Sequence, residues 1–266
     1  MTTEVEDEVE ASRAPLIDHL IELRTRLIRA LIAFVLMFLI CFGGAKYIYN
    51  ALVWPYVVAV GSAENAHLIY THGLEYLFTQ IQVAAFGAGF LAFPIIANEI
   101  YKFVAPGLYK NERRAFLPYL VATPVLFSLG AAVVYFMAMP LLMRFSVGMQ
   151  QLATETTPGI AFMPKVSEYL SLIMTLIFAF GICFQLPVAL TLLARAGLID
   201  SAFLKARRRY AIVFVFIAAA VLTPPDVISQ FALAVPTLLL YEASIISVRM
   251  VEKKRAEAVA ARAAAG

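Results

Sequence analysis

Histidine, cysteine and aspartate are scarce in this chain, and their positions exclude several chemistries. The histidines, His19, His67 and His72, and the aspartates, Asp7, Asp18, Asp200 and Asp226, all fall outside its long apolar runs. Intramembrane proteolysis needs a Ser/His set or paired Asp inside a span, so it is not expected. No P-loop, GxSxG, HExxH or GxGxxG sequence occurs, which removes nucleotide hydrolysis and a nucleophile elbow. Cys41 and Cys183 lie in apolar runs and read as small buried hydrophobes, not as a disulfide framework or zinc ligands. No enzyme, cofactor, metal site or nucleic-acid partner is expected. A basic leader is missing too. The chain opens on the acidic stretch Glu4–Glu10, and no small-residue cleavage site follows the first apolar run, which is expected to stay as an anchor.

What is abundant is apolar. Hydrophobic residues make up 62% of the 266, and the mean hydropathy is +0.83, where ordinary soluble domains are nearer half apolar. A bilayer-spanning helix needs roughly 20 mainly apolar residues, so this length fits six with short loops and no separate soluble domain. The 21 Lys and Arg cluster at Arg13–Arg29, Lys102–Arg114, Arg195–Arg209 and Arg249–Arg262, and only Lys46, Arg144 and Lys165 fall in the intervening segments. Cytoplasmic loops carry such an excess. The expected fold is therefore an all-α, polytopic membrane protein of six spans with both termini cytoplasmic.

Residues 1–14 are polar and acidic and read as disordered. Residues 15–248 form the membrane domain, and 249–266 a charged, Ala-rich tail, helical or disordered. Leu16, Leu20, Leu23 and Leu27 repeat at helical spacing, so an interfacial helix should run into span one, Leu27–Ala45. An aromatic outer loop, Lys46–Tyr76, reads as a cap on the outer surface. Spans two, three and four follow at about Leu77–Val104, Phe116–Met143 and Glu168–Ala194. Span five is short: Tyr210–Leu222 is stopped by Thr223-Pro224-Pro225-Asp226. It gives roughly 20 Å against a hydrocarbon core of about 30 Å. Span six, Val227–Val248, is a candidate for the same shortness. Pro94, Pro124, Pro140, Pro187 and Pro236 lie inside spans and suggest a bent, concave body. Phe86–Phe90 and Phe180–Phe184 both read FGxxF, most simply as helix-packing sites.

Polar residues in or near the apolar runs are functional candidates by default. They are Glu99, Gln185, Gln230 and Glu242. Gln185 is the deepest, beside Pro187; it serves either a helix–helix hydrogen bond or function. Glu99 could pair with Lys102 at i+3. Glu22 has Arg26 at i+4, a favourable order. Glu112 has no cation at i±3 or i±4, and its bland reading is an acid at a helix start.

The runs HLIELRTRL, FVAPGLYKNERR, FGICFQLPVAL, RRRY and LTPPDVISQ, in this order over about residues 15–248, resemble the TatC family, the multispanning component of the twin-arginine protein translocase. The resemblance implies a receptor in the bacterial cytoplasmic (inner) membrane. It would bind Arg-Arg signal peptides of folded cargo and work with TatB-like and TatA-like single-span subunits, membrane lipids and further TatC copies in an energised membrane. It places signal-peptide binding at Glu22 and Glu112, with Arg24 and Phe103 at other motif positions. It puts Pro55 in a motif of the first outer loop, Asp226 in the outer turn, and Thr223 and Gln230 where partner helices dock. The span-four polar position is often Glu in that family; here it is Gln185, which cannot take up and release a proton. Carboxylates suit such a ligand, because each arginine presents a planar fork of donors that lysine lacks. A small-solute transporter, or a scaffold for other subunits, is the alternative reading.

Overall fold

The computed structural model describes residues 2–64, 66–104, 113–151, 158–159, 161–195, 197–222 and 227–265. The described chain is helical almost throughout. In order come α1 (Thr2–Gly43), α2 (Ala45–Val60), α3 (Glu75–Val104), α4 (Arg113–Val133), a π-helical turn (Val134–Ala138) and α5 (Met139–Gly148). Then follow α6 (Val166–Cys183), α7 (Leu186–Arg195), α8 (Ser201–Ala206), α9 (Arg208–Leu222) and α10 (Val227–Ala265). An isolated parallel bridge, Ile69 to Lys165, is the extended pairing among the described residues.

Among the described residues, five stretches are long and apolar enough to cross a membrane: Leu20–Gly43, Glu75–Phe103, Tyr119–Gly148, Val166–Arg195 and Gln230–Glu257. α9 has 15 residues and falls short of that length. The helix α1 starts at Thr2, in a segment whose acidity suggested disorder, and α10 continues helically to Ala265. Glu and Ala, good helix formers, dominate both extensions.

The core is built on α6. Leu170, Ile173, Ile177 and Phe180 are all buried on it, with Val83 of α3, Val134 of the π turn, Met139 of α5 and Ala219 of α9 in the same cluster. The crossing of α4 and α6 is tight enough that both need a residue without a side chain. A Cβ at Gly130 would meet the backbone of Phe180, and one at Gly181 would meet the Phe127 ring. Small residues permit this approach, which membrane helices use in place of hydrophobic association. By contrast α1 packs almost wholly on α3. Only 6% of its apolar window is buried, so its remaining faces meet lipid or partners.

The expected aromatic cap is itself a helix, α2, which carries Pro55 inside it. Proline has no N–H, so the carbonyl of Ala51 loses its helical donor. Tyr135, swung out by the π turn, supplies one: its hydroxyl donates to Ala51 O at 2.7 Å. Trp54 stacks on the Tyr135 ring at 5.5 Å between centroids, and Tyr169 of α6 donates to Leu52 O at 2.8 Å. These bonds seat α2 on the bundle. Nearby, Glu75 accepts from the Thr71 N–H at 2.8 Å and the Ser167 hydroxyl at 2.7 Å, joining the segment before α3 to the start of α6.

The prolines act differently from one another. Pro187 follows the break at Phe184–Gln185 that separates α6 from α7, and Pro140 follows the π turn. Pro94 and Pro236 sit inside unbroken helices.

Candidate functional site

At the end of the bundle opposite α2, residues of six helices meet in pairs. Arg26 of α1 meets Glu99 of α3, Arg195 of α7 lies over Tyr119 of α4, and Arg208 of α9 pairs with Glu242 of α10. The basic clusters of the sequence thus share one end.

The ion-pair group between α1 and α3 is the most buried of these. Arg26 Nε donates to Glu22 Oε1 at 3.0 Å, and its Nη1 to Glu99 Oε2 at 3.3 Å. The side chains of Arg26 and Glu99 are 18% and 10% exposed, and Glu22 is 35% exposed. One guanidinium therefore holds two carboxylates 77 residues apart in sequence, using the planar donor fork that lysine lacks. The Glu22–Arg26 pair follows from i,i+4 spacing. Glu99 does not pair with Lys102 as the local spacing suggested. Lys102 is exposed, while Arg26 reaches Glu99 from the facing helix at 3.3 Å. A low-dielectric contact between helices outweighs a solvated pair on one helix.

Arg24 is exposed on α1, two residues from both Glu22 and Arg26 and so on the opposite face of the helix. Phe103 is half-buried at the end of α3. Glu112 lies outside the described residues, as do Thr223, Asp226 and the TPPD turn. The structure brings Glu22 together with Arg26 and Glu99. No contact joins this group to Gln185 or Gln230 among the described residues.

Gln185 sits in the α6–α7 break. Its amide nitrogen donates to Thr123 O of α4 at 3.0 Å and to Gly181 O at 3.4 Å. The break itself releases the Gly181 carbonyl, since the Gln185 N–H turns to Ile182 O. So the side chain serves that carbonyl and a neighbouring helix, not the one Pro187 frees. Its Oε1 is buried with no hydrogen-bond partner, as is Oδ1 of Asn98. We expect Gln185→Leu to lower stability in detergent by about 1–3 kcal/mol, because two buried carbonyls lose a donor. An unchanged thermal midpoint would contradict this. Gln230 is a second bridge: its amide donates to Phe216 O at 3.3 Å, tying α10 to α9.

Residues 18–236 match the profile of the family described as Sec-independent protein translocase protein (TatC). A protein of that name from Magnetococcus marinus is 44% identical over 252 residues, covering 95% of this chain and 90% of the relative. Its counterpart from Rickettsia prowazekii is 40% identical, covering 90% of this chain and 94% of the relative. A crystal structure described as the twin arginine translocase receptor TatC superposes with a TM-score of 0.75 at 36% identity, covering 87% of this chain and 98% of that one. The helical architecture, its apolar spans and these matches agree from end to end: the chain belongs to the TatC family, the membrane-embedded, non-enzymatic component of the twin-arginine protein translocase.

Proposed function

We propose that this chain is the signal-peptide receptor of its translocase and that the α1–α3 ion-pair group forms part of the receiving site. The observation that carries the reading is Arg26 bound between Glu22 and Glu99. It is an arginine already seated on acids, at the basic end of the bundle, with one acid open to water. An incoming signal arginine takes Glu22 by exchange with Arg26. Glu112 supplies the second acid, Phe103 lines the approach, and Arg24 takes part from the other face of α1. Charge-assisted bonds contribute roughly 1.5–3 kcal/mol each, less where water screens them, so the apolar stretch of the signal must add contacts.

The orientation belongs to the same proposal. Clustered Lys and Arg at one end support a cytoplasmic placement of that end in the bacterial inner membrane, with both termini there. The helix α9 then makes the sixth crossing. Its 15 residues reach about 22 Å, less than the core of about 30 Å, so the bilayer thins beside it or neighbours shield it. Single-span TatA-like and TatB-like partners dock beside α9 and α10, near Gln230 and Thr223. The unsatisfied Oε1 of Gln185 supports a polar contact with such a helix.

The test is binding of labelled signal peptide to the full chain in nanodiscs, comparing Arg-Arg with Lys-Lys. Arg-Arg should bind at least tenfold more tightly, about 1.4 kcal/mol, and Glu22→Ala and Glu112→Ala should each erase most of that difference. Equal binding of both peptides, unaffected by either substitution, would sink the proposal.

A further inference from the structure

The basic end carries a second feature that the translocation reading does not use. Between α4, α7 and α10 lies an open cleft of about 360 Å³. Its walls are apolar: Leu126 from α4, Pro187 and Val188 from α7, Met250 from α10. Two cations line it, Arg195 from α7 and Lys254 from α10, and among the described residues no Asp or Glu does. Arg195 is positioned by Tyr119, whose ring centre lies 5.0 Å from the guanidinium carbon, a cation–π contact.

The cleft is polarised along the membrane normal. Arg195 closes α7 at the basic end, and Tyr119 lies in the second turn of α4, which starts at Arg113. Leu126 is two turns deeper on α4, about 10 Å further into the apolar layer. A ligand that fits must be anionic at the membrane surface and hydrocarbon below it.

We propose that this cleft is a binding site for one anionic phospholipid, its phosphate between Arg195 and Lys254 and an acyl chain against Leu126, Val188 and Met250. Charge decides between candidate occupants. A signal peptide brings arginines to this end of the bundle, and those would be repelled by the two cations. A zwitterionic lipid carries its own cation to the same place. An anionic headgroup is attracted by both, at a surface where basic pockets between membrane helices bind such lipids. The site stands on membrane embedding alone and does not depend on the α1–α3 group receiving signal peptides.

The test uses the full chain purified in detergent, titrated with phosphatidylglycerol or phosphatidylcholine and read by native mass spectrometry. Phosphatidylglycerol should bind preferentially. Its affinity should fall about fivefold for each cation removed, in Lys254→Gln and in Arg195→Gln. Met250→Trp, which fills the cleft and leaves the charges in place, should also weaken it. Inorganic phosphate at millimolar concentration should not displace the lipid. Equal binding of the two lipids overturns the proposal, and so does displacement by phosphate alone. Lys254 is exposed, so Lys254→Gln reports even where Arg195→Gln fails to fold; unchanged affinity in that single variant overturns the site.

Discussion

Gly130→Ala should destabilise this protein more than its one added carbon suggests. The new Cβ would lie 2.7 Å from the carbonyl oxygen of Phe180 and 2.9 Å from its carbonyl carbon. A side chain could rotate aside, but this obstacle is the backbone of α6, the most buried helix. The two helices must therefore separate along the crossing. Separation also loosens Phe127, stacked at 3.8 Å on Phe93 and packed against Phe178. Overpacking costs typically about 1–3 kcal/mol, and a backbone obstacle puts this case at the upper end. Gly43→Ala is the control, since nothing lies within 4 Å of its added carbon and alanine is the better helix former. Thermal unfolding in detergent should separate the two clearly, with only Gly130→Ala depressed. Equal midpoints would mean that α4 and α6 do not cross as closely as described.

Arg26→Ala should move two measurements in opposite directions. Stability should fall, because Glu22 and Glu99 would face each other without their shared cation. Removing one partner of a buried ion pair costs about 3–5 kcal/mol. Glu22 is 35% exposed and partly screened, so the lower end applies, and most of the cost falls on Glu99, whose side chain is 10% exposed. Signal-peptide affinity should rise, because an incoming arginine no longer displaces a resident one and finds two acids waiting. Arg26→Lys should restore part of the stability through charge while losing the planar fork. Thermal unfolding and peptide binding on the same preparations give both numbers. A joint fall in stability and affinity would show that Arg26 helps to hold the signal and does not compete with it.

Much of this could be read from residue order. Apolar run length and the prolines and glycines around it locate α3, α9 and the start of α10 closely, and the outer limits of the α6–α7 pair but not the break within it. Where the reading stopped at a loop, as over α2, the reason is Pro55. A helix with an internal proline survives there only because Tyr135 reaches Ala51 O from another element, and no local pattern records that. The α1–α3 group shows the same limit. Spacing of i,i+4 exposes Glu22 with Arg26, but it offers Glu99 only Lys102, since the true partner lies 73 residues away. The π turn was invisible for a related reason: one extra residue in a helix leaves its apolar character unchanged and alters only which faces align beyond it. Membership of the family was legible because several motifs, HLIELRTRL, FGICFQLPVAL and LTPPDVISQ among them, occur together and in order along the chain.

The packing of α1 almost wholly on α3 also bears on how the chain is made. α1 leaves the ribosome before its main neighbour, which is not made until residues 75–104 have followed it. Through that interval it must be a stable transmembrane helix by itself, every backbone bond closed within it and every face acceptable to lipid. Its all-round apolar surface, which looks excessive in the finished bundle, meets that earlier demand. Assembly then becomes a capture event: α3 arrives and collects a helix already waiting in the bilayer, with Arg26 and Glu99 as the latch.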